Sequence, residues 1–321
     1  MQNTNLWAIT SYFNPLRYRT RLRSYRPFRA KLDLPLVTVE LAIGETFELQ
    51  SGDADFLVQL SAPSVMWHKE RLLNIGVRYL PPDCDHIAWL DCDIIFADGS
   101  WAERTKRLLD KHVLVQPFQS CLYLPKGATP EDVVESALPR DCSKAFELQK
   151  NSSAALDRLA ECGTRLHGGS TNGVAWAARR ELLESSGLYD ACILGSGDRA
   201  LVCAAAGMPE AAVSSLSMNA AQEDHYRTWA DGFQRSVVGA SIAHTDDIVY
   251  HLWHGSLDER RYGERYLGFH KFGFDPTTDI AQDAQGCWQW NSANPDMHRY
   301  VEDYFRSRNE DGTEATPQER R

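Results

Sequence analysis

The stretch Ile87-Ala-Trp-Leu-Asp91-Cys92-Asp93-Ile-Ile-Phe96 constrains this chain more than any other. An apolar run ends in two acids one residue apart, and a second apolar run follows at once. Bounded upstream by Pro81, Pro82 and Asp83, the first run reads as a buried strand. An acidic loop is the bland alternative, but a solvated loop would not place Ile94, Ile95 and Phe96 directly after the acids. Open α/β sheets bind ligands beyond the carboxyl ends of their strands. Two hard oxygen donors at such a place suit Mg²⁺ or Mn²⁺ carrying a diphosphate.

The segments around it alternate. Leu6 to Phe13 reads as a strand broken at Asn14-Pro15, and an Arg-rich helix from Tyr18 to Leu32 follows, stopped by Pro35. Leu36 to Glu40 and Phe56 to Leu60 are further strands. A helix over Val65 to Leu80 would bury Leu72, Leu73, Ile75 and Val77. Trp101 to Leu109 reads as a helix and His112 to Gln116 as a strand. Strands alternating with helices imply an α/β fold with a mostly parallel central sheet and helices on both faces. Residues 1–118 thus form one half of the fold. Residues 119–165, with Pro125, Pro130, Pro139 and mixed charge, read as an inserted excursion.

Order resumes at His167-Gly-Gly-Ser-Thr-Asn172-Gly173, a Gly-rich turn entering a strand, and residues 166–306 make the second half. Gly187 ends a helix from Arg179 to Ser186 as a C′ glycine. Helices are expected over 198–206, much of 217–237, and 295–305. A short strand at Ile248 to Tyr250 leads into His251-Leu-Trp-His254 and a helical stretch from Leu257 to Tyr266. The polar residues 307–321 read as a disordered tail.

Composition removes several classes. With 34 basic and 44 acidic residues the net charge is −10, which argues against nucleic acid as a partner. The eight cysteines include no Cys-x-x-Cys pair, so neither a zinc module nor a dense disulfide framework is expected. The first residues lack a basic region followed by an apolar one, and no window approaches the roughly 18 apolar residues of a spanning helix. These features predict a cytoplasmic protein without a membrane span.

Four further features carry chemistry. His251 and His254 suit Mn²⁺ as well as Zn²⁺, and both rings converge if the backbone turns between them; local hydrogen bonding is the other reading. At the strand-to-helix junction Asn14-Pro15-Leu16-Arg17-Tyr18-Arg19, backbone N–H groups and the helix dipole favour an anion. Arg17 and Arg19 would clasp a phosphate there. Spaced by two, Arg17, Arg19, Arg21 and Arg23 cannot share one helical face, so most are expected to be solvated. Gly195-Ser196-Gly197-Asp198 opens a helix, where Asp198 reads equally as a base or as an N-cap. Trp67 reads as core or as a stacking platform for a nucleobase.

Taken in order, these pieces resemble the metal-dependent GT-A glycosyltransferases, most closely the β-1,4-galactosyltransferase family and its chondroitin-polymerising relatives. Pro15-Leu-Arg17-Tyr-Arg19 stands where that family has Pro-Phe-Arg-x-Arg. Trp67 to Gly76 matches an aromatic-x-basic segment leading into Leu-Leu-Asn-x-Gly. Leu90-Asp91-Cys92-Asp93, Asn172-Gly173 through Gly187-Leu-Tyr189, Leu194-Gly195-Ser196-Gly197-Asp198 and His251-Leu-Trp-His254 follow in the family's order, over residues 6–266.

The resemblance implies a nucleoside-diphosphate sugar donor, with UDP favoured, and a hydroxyl acceptor on a glycan, lipid-linked group or protein. Pro15, Arg17, Arg19, Glu40, Trp67, Lys69, Asp91 and Cys92 would hold the nucleotide. Asp93, His251 and His254 would ligate Mn²⁺ (or Mg²⁺), with Asp91 a further candidate. Asn172, Gly173, Gly195, Ser196 and Gly197 would face the sugar and acceptor. Asp198 would be the base of an inverting transfer, with Glu70 among the acids next in line. The chain departs from the family pattern at Leu194, where the family has Trp, at Gly197, where it has an acceptor-binding Glu, and at Arg199.

Two rival functions fit less well. A sugar-phosphate nucleotidyltransferase shares the sheet and the metal but calls for a Gly-rich loop after the first strand, which Asn14-Pro15-Leu16-Arg17 is not. A non-enzymatic carbohydrate- or nucleic-acid-binding module has no need for the acid pair and the distant histidines to meet.

Overall fold

The structure is a computed structural model that describes residues 5–150, 157–159, 167–237, 242–256 and 258–312. Parts of the expected excursion, the start of the stretch at Leu257 and the end of the expected tail lie outside those residues. From the first end, β1 (Asn5–Phe13), α1 (Arg19–Lys31), β2 (Leu36–Ile43) and β3 (Phe56–Ala62) are followed by α2 (Lys69–Val77). Then come β4 (Cys84–Leu90), β5 (Ile94–Phe96), α3 (Trp101–Leu109), β6 (Leu114–Gln116) and β7 (Ser120–Tyr123). Next are β8 (Arg140–Ser143), α4 (Lys144–Lys150), β9 (Ser170–Thr171), β10 (Ala175–Arg179) and α5 (Arg180–Ser186). The remainder runs α6 (Gly197–Ala205), α7 (Pro209–Ser215), α8 (Ala220–Val237), β11 (Ile242–His244), β12 (Ile248–His251) and α9 (Glu264–Phe269). A hairpin of β13 (Ile280–Gln282) and β14 (Trp288–Trp290) precedes α10 (Pro295–Ser307).

The central sheet has seven strands in the order β11-β6-β10-β4-β1-β2-β3. Only β10 runs antiparallel to its neighbours; the remaining pairings are parallel. Its strands are apolar on both sides because helices cover both sides. In β4, Ala88 and Leu90 join one core while Ile87 and Trp89 join the other, as the two-residue period of a strand requires. Tyr25 and Phe28 of α1 and Trp101 and Leu109 of α3 fill the first core. Leu72, Leu73, Ile75 and Val77 of α2 fill the second, each side chain contributing roughly 1.5–3 kcal/mol. The α/β class, with a mostly parallel sheet between two helical layers, is the one the sequence implies.

Several local expectations change. Helix α2 begins at Lys69 rather than Val65, because the Trp67 N–H donates to the Ile193 carbonyl (2.8 Å) and holds the preceding residues off the helix. The excursion is not structureless: β7 and β8 belong to a second sheet ordered β5-β12-β7-β8-β9. With four residues each, these two strands are too short for a periodic signal. The β13–β14 hairpin had no counterpart in the sequence reading. Order also continues past α10: Arg308 and Glu310 are 4% and 2% exposed, so the polar tail cannot begin at 307. Among the described residues, no helix is long and apolar enough to cross a membrane.

Candidate functional site

Antiparallel pairing of β12 with β5 sets His251 opposite Ile94, and the Leu252 N–H donates to the Asp93 carbonyl (2.8 Å). This register brings the distant histidines to the second acid of the pair. One ligand atom each from Asp93, His251 and His254 lies within 4.8 Å of the others, and all three residues are buried. Nε2 of His254 is 3.1 Å from Oδ2 of Asp93, and Nε2 of His251 is 3.9 Å from Oδ1.

The donor set fits a divalent cation. Oδ1 of Asp93 is buried without a hydrogen-bond partner, a costly state that a cation relieves. Nδ1 of His251 sits 3.0 Å from the Leu252 carbonyl, which sets the proton on Nδ1 and leaves Nε2 for a metal. Burial, with Arg260 next, drives the His254 ring well below its ordinary pKa, so it is neutral as a ligand must be. Burial, with Asp91 next, pushes the Asp93 carboxyl up to about 6.

These residues line one cavity of about 390 Å³, a size suited to a small-molecule ligand. On the other side of Asp91 lies a charged relay. Nζ of Lys69 sits 2.6 Å from Oδ1 of Asp91 and 2.8 Å from Oδ2 of Asp198. Burial alone would lower the Lys69 pKa, but Asp198 and Asp91 outweigh it and hold it well above the ordinary value. Asp198 stands in the first turn of α6 and faces the cavity. A Cβ at Gly173 would lie 2.5 Å from Oδ2 of Asp198, so only glycine leaves the carboxylate its place. Behind it, Glu70 is 4% exposed and accepts from Nε1 of Trp67 (3.1 Å). Burial and then Asp198 raise its carboxyl to about 8.

Pro15, Trp67, Lys69, Asp91, Cys92, Asp93, Asn172, Gly173, Gly195, Ser196, Asp198, His251 and His254 thus come together on one cavity wall. Gly197 is not on that wall. It lies against Glu70, whose Cδ would be 2.3 Å from a Cβ at that position. Trp67 is half-buried rather than core, with the Arg308 guanidinium 5.1 Å from its ring.

Arg17, Arg19 and Glu40 stand elsewhere. Arg17 takes up φ 55° in a turn closed by its N–H on the Asn14 carbonyl (3.1 Å), which swings its side chain toward a small neighbouring depression that Glu40 also lines. Glu40 accepts from the N–H groups of Glu48 (2.6 Å) and Leu49 (3.2 Å) and from Gln59 (2.9 Å). The Arg19 side chain is 63% exposed. The junction does hold an anion, but it is the chain's own. Asp311 accepts from the N–H groups of Arg19 (3.1 Å) and Thr20 (2.8 Å) and from the Thr20 hydroxyl (2.7 Å).

The sequence reading missed Arg21, Arg260, Arg265, Arg308 and Glu310, all on the cavity wall. Arg21, expected among the solvated arginines, reaches inward to Glu310. Nη2 of Arg260 donates to His254 (2.9 Å to Nε2), while its Nε is buried without a partner. Arg265 donates to Ser196, which adopts φ 71° at the entrance to α6. An Arg two turns of chain beyond the second histidine was the only local hint.

No protein-family model matches the chain, and no curated protein matches it either. Among solved structures it is similar to the mannosyltransferase PcManGT from Pyrobaculum calidifontis in complex with GDP-Man and Mn²⁺, at 13% identity over 98% of this chain and 76% of that one, with a TM-score of 0.41. It is also similar to glucosyl-3-phosphoglycerate synthase from Mycobacterium tuberculosis in complex with Mn²⁺, UDP and phosphoglyceric acid, at 16% identity over 90% and 87% of the two chains, with a TM-score of 0.38. Against S. aureus TarS 1-349 the identity is 12% and the TM-score 0.37; 78% of this chain is covered, and it spans 60% of that one.

Proposed function

We propose that this chain is a metal-dependent, inverting glycosyltransferase of GT-A type that moves a sugar from a nucleoside-diphosphate sugar to a hydroxyl acceptor. The observation that carries the reading is a single one: Asp93, His251 and His254 meet in the cavity that Asp198 faces. Chemistry at the donor and a base for the acceptor then share one space. Residues up to about 118 form the donor half, and residues 166–306 the acceptor half. A UDP donor and kinship with the galactosyltransferase and chondroitin-polymerising subtype are what the resemblance of the sequence motifs implies. A cytoplasmic location is part of this reading, in keeping with cysteines scattered along the sequence without a Cys-x-x-Cys pair.

Asp93, His251 and His254 would hold Mn²⁺ or Mg²⁺, which when bound supplies the positive charge that a departing diphosphate needs. Asp198 takes the proton of the acceptor hydroxyl as that oxygen attacks the anomeric carbon from the face opposite the leaving group. Lys69 holds Asp91 and Asp198 in place through its two ion pairs, so Asp198 is positioned toward the acceptor side of the cavity. Asn172, Gly173, Gly195 and Ser196 shape the wall beside it.

Thermal shift with UDP, GDP, dTDP and CDP, each with and without MnCl₂, tests the reading. Stabilisation by at least one nucleotide that depends on the metal is expected. A melting temperature that no nucleotide moves at millimolar concentration refutes it.

A further inference from the structure

The chain beyond α10 folds back over the metal site. Its Gly312 lies against Trp253, and the backbone around Arg308 and Glu310 sits on the turn that follows His254. A Cβ at Gly255 (φ +94°) would lie 3.0 Å from the Arg308 carbonyl oxygen and 3.2 Å from the Glu310 Cα. Within this segment Glu310 binds two guanidinium groups. Its Oε1 accepts from Nη2 of Arg21 (2.7 Å) and Nε of Arg308 (2.6 Å), and its Oε2 accepts from Nε of Arg21. Nη1 of Arg308 donates to the Tyr304 hydroxyl (3.0 Å), and its guanidinium lies over Trp67. Asp311 pins the segment to the start of α1, and Asn309 donates to Glu259 (2.8 Å).

This arrangement leaves positive charge in the cavity. Among the described residues here, Arg21, Arg260 and Arg308 stand with two carboxylates, Asp93 of the metal cluster and Glu310, so three guanidinium groups meet two acids. A buried guanidinium excess calls for an anion rich in acceptor oxygens, and forked N–H donors match phosphate oxygens two at a time. Arg17 and Arg19, the sequence's candidates for that task, point elsewhere. We infer that Arg21 and Arg308, clamped by Glu310, receive the diphosphate of the donor, and that residues 308–312 are a fixed wall of the donor site. The inference rests on the glycosyltransferase reading and deepens it. Arg21 and Arg308 are binding residues, and Glu310 is a positioning residue that acts through them.

Calorimetric titration with UDP, GDP and the nucleosides uridine and guanosine, in MnCl₂, separates the outcomes. R308Q and R21Q should each weaken binding of the diphosphate that wild type prefers by about tenfold or more, the usual scale for a hydrogen bond to a charged group, and leave nucleoside binding unchanged. R308K keeps the charge but not the fork and should fall between wild type and R308Q. It carries the test if R308Q does not fold. E310Q is the sharper probe: it makes the cavity more positive, so charge alone predicts tighter binding, whereas lost positioning predicts binding several-fold weaker. Wild-type diphosphate affinity in R21Q and R308K, or tighter binding by E310Q, overturns the inference while the glycosyltransferase reading stands. Wild type that binds no nucleoside diphosphate overturns both.

Discussion

Replacing Lys69 by Met removes the ammonium that separates Asp91 from Asp198. The side chains of Lys69, Asp91 and Asp198 are 13%, 26% and 21% exposed, so water screens the cluster only in part. At an effective dielectric near 20, an ion pair at 2.6 Å gains about 6 kcal/mol before the desolvation of both partners is set against it. What survives is of the size found when one partner of a buried pair is removed, about 3 kcal/mol here after allowance for partial exposure. An unfolding entropy of roughly 2.1 cal/mol/K per residue converts that loss into a fall of about 4–5 °C in melting temperature for a chain of 321 residues.

A double-mutant cycle isolates the cause. Asp198→Asn removes one of the two like charges, so K69M should cost about 1–2 kcal/mol less in the D198N background than in wild type. Urea denaturation at pH 7 of the four proteins, without added metal, gives the coupling energy. Strict additivity at pH 7, within about 0.3 kcal/mol, would show that Lys69 does not bind Asp198 in solution and would remove the electrostatic ground for Asp198 as a preformed carboxylate.

Metal binding should follow the Asp93 carboxyl: Mn²⁺ affinity, read by electron paramagnetic resonance, should drop about tenfold per pH unit below the pKa of about 6 and level off above it, and D93N should abolish the profile. Glu70 supplies a stability signature. Its folded pKa of about 8 exceeds the ordinary 4.5, so its contribution is present below pH 4.5 and lost as pH rises through 8. E70Q should therefore be more stable than wild type at pH 8.5 and no more stable at pH 5; equal pH dependence in the two proteins contradicts the assignment. D198N should bind the nucleotide as wild type does while transfer to an acceptor slows by about 10²-fold or more; Ser196, not Asp198, holds the N-cap position of α6, and an unchanged rate leaves Asp198 a structural first-turn acid.

Legibility followed the range of the interactions. Strands β1, β2, β3 and β4 run seven to nine residues, are mostly apolar and have a Pro within two residues of one end, so local sequence identified them. Asp91, Asp93, His251, His254 and Asp198 were readable because each belongs to a short motif whose order along the chain carries information. Arg21 and Glu310 were not, since the burial of each depends on the other across 289 positions. An isolated Arg or Glu carries no mark of its partner. Arg17 and Arg19 misled for a related reason: one left-handed residue at Arg17 rotates the turn, and no residue pattern announced it.

The bond from the Thr20 N–H to Asp311 spans 291 positions of sequence. During synthesis, β1 and α1 leave the ribosome well before residue 311 and can begin to bury the sheet with β2, β3 and β4. The carboxylate that caps α1, and the carboxylate that gathers Arg21, follow only when nearly 300 more residues have been joined, some 15–60 s later at 5–20 residues per second. A nascent chain can thus hold most of its hydrophobic core while its cavity still lacks a wall. The order in which the cavity is completed is then set by sequence distance: the sheet can close before the arginines of the cavity are gathered.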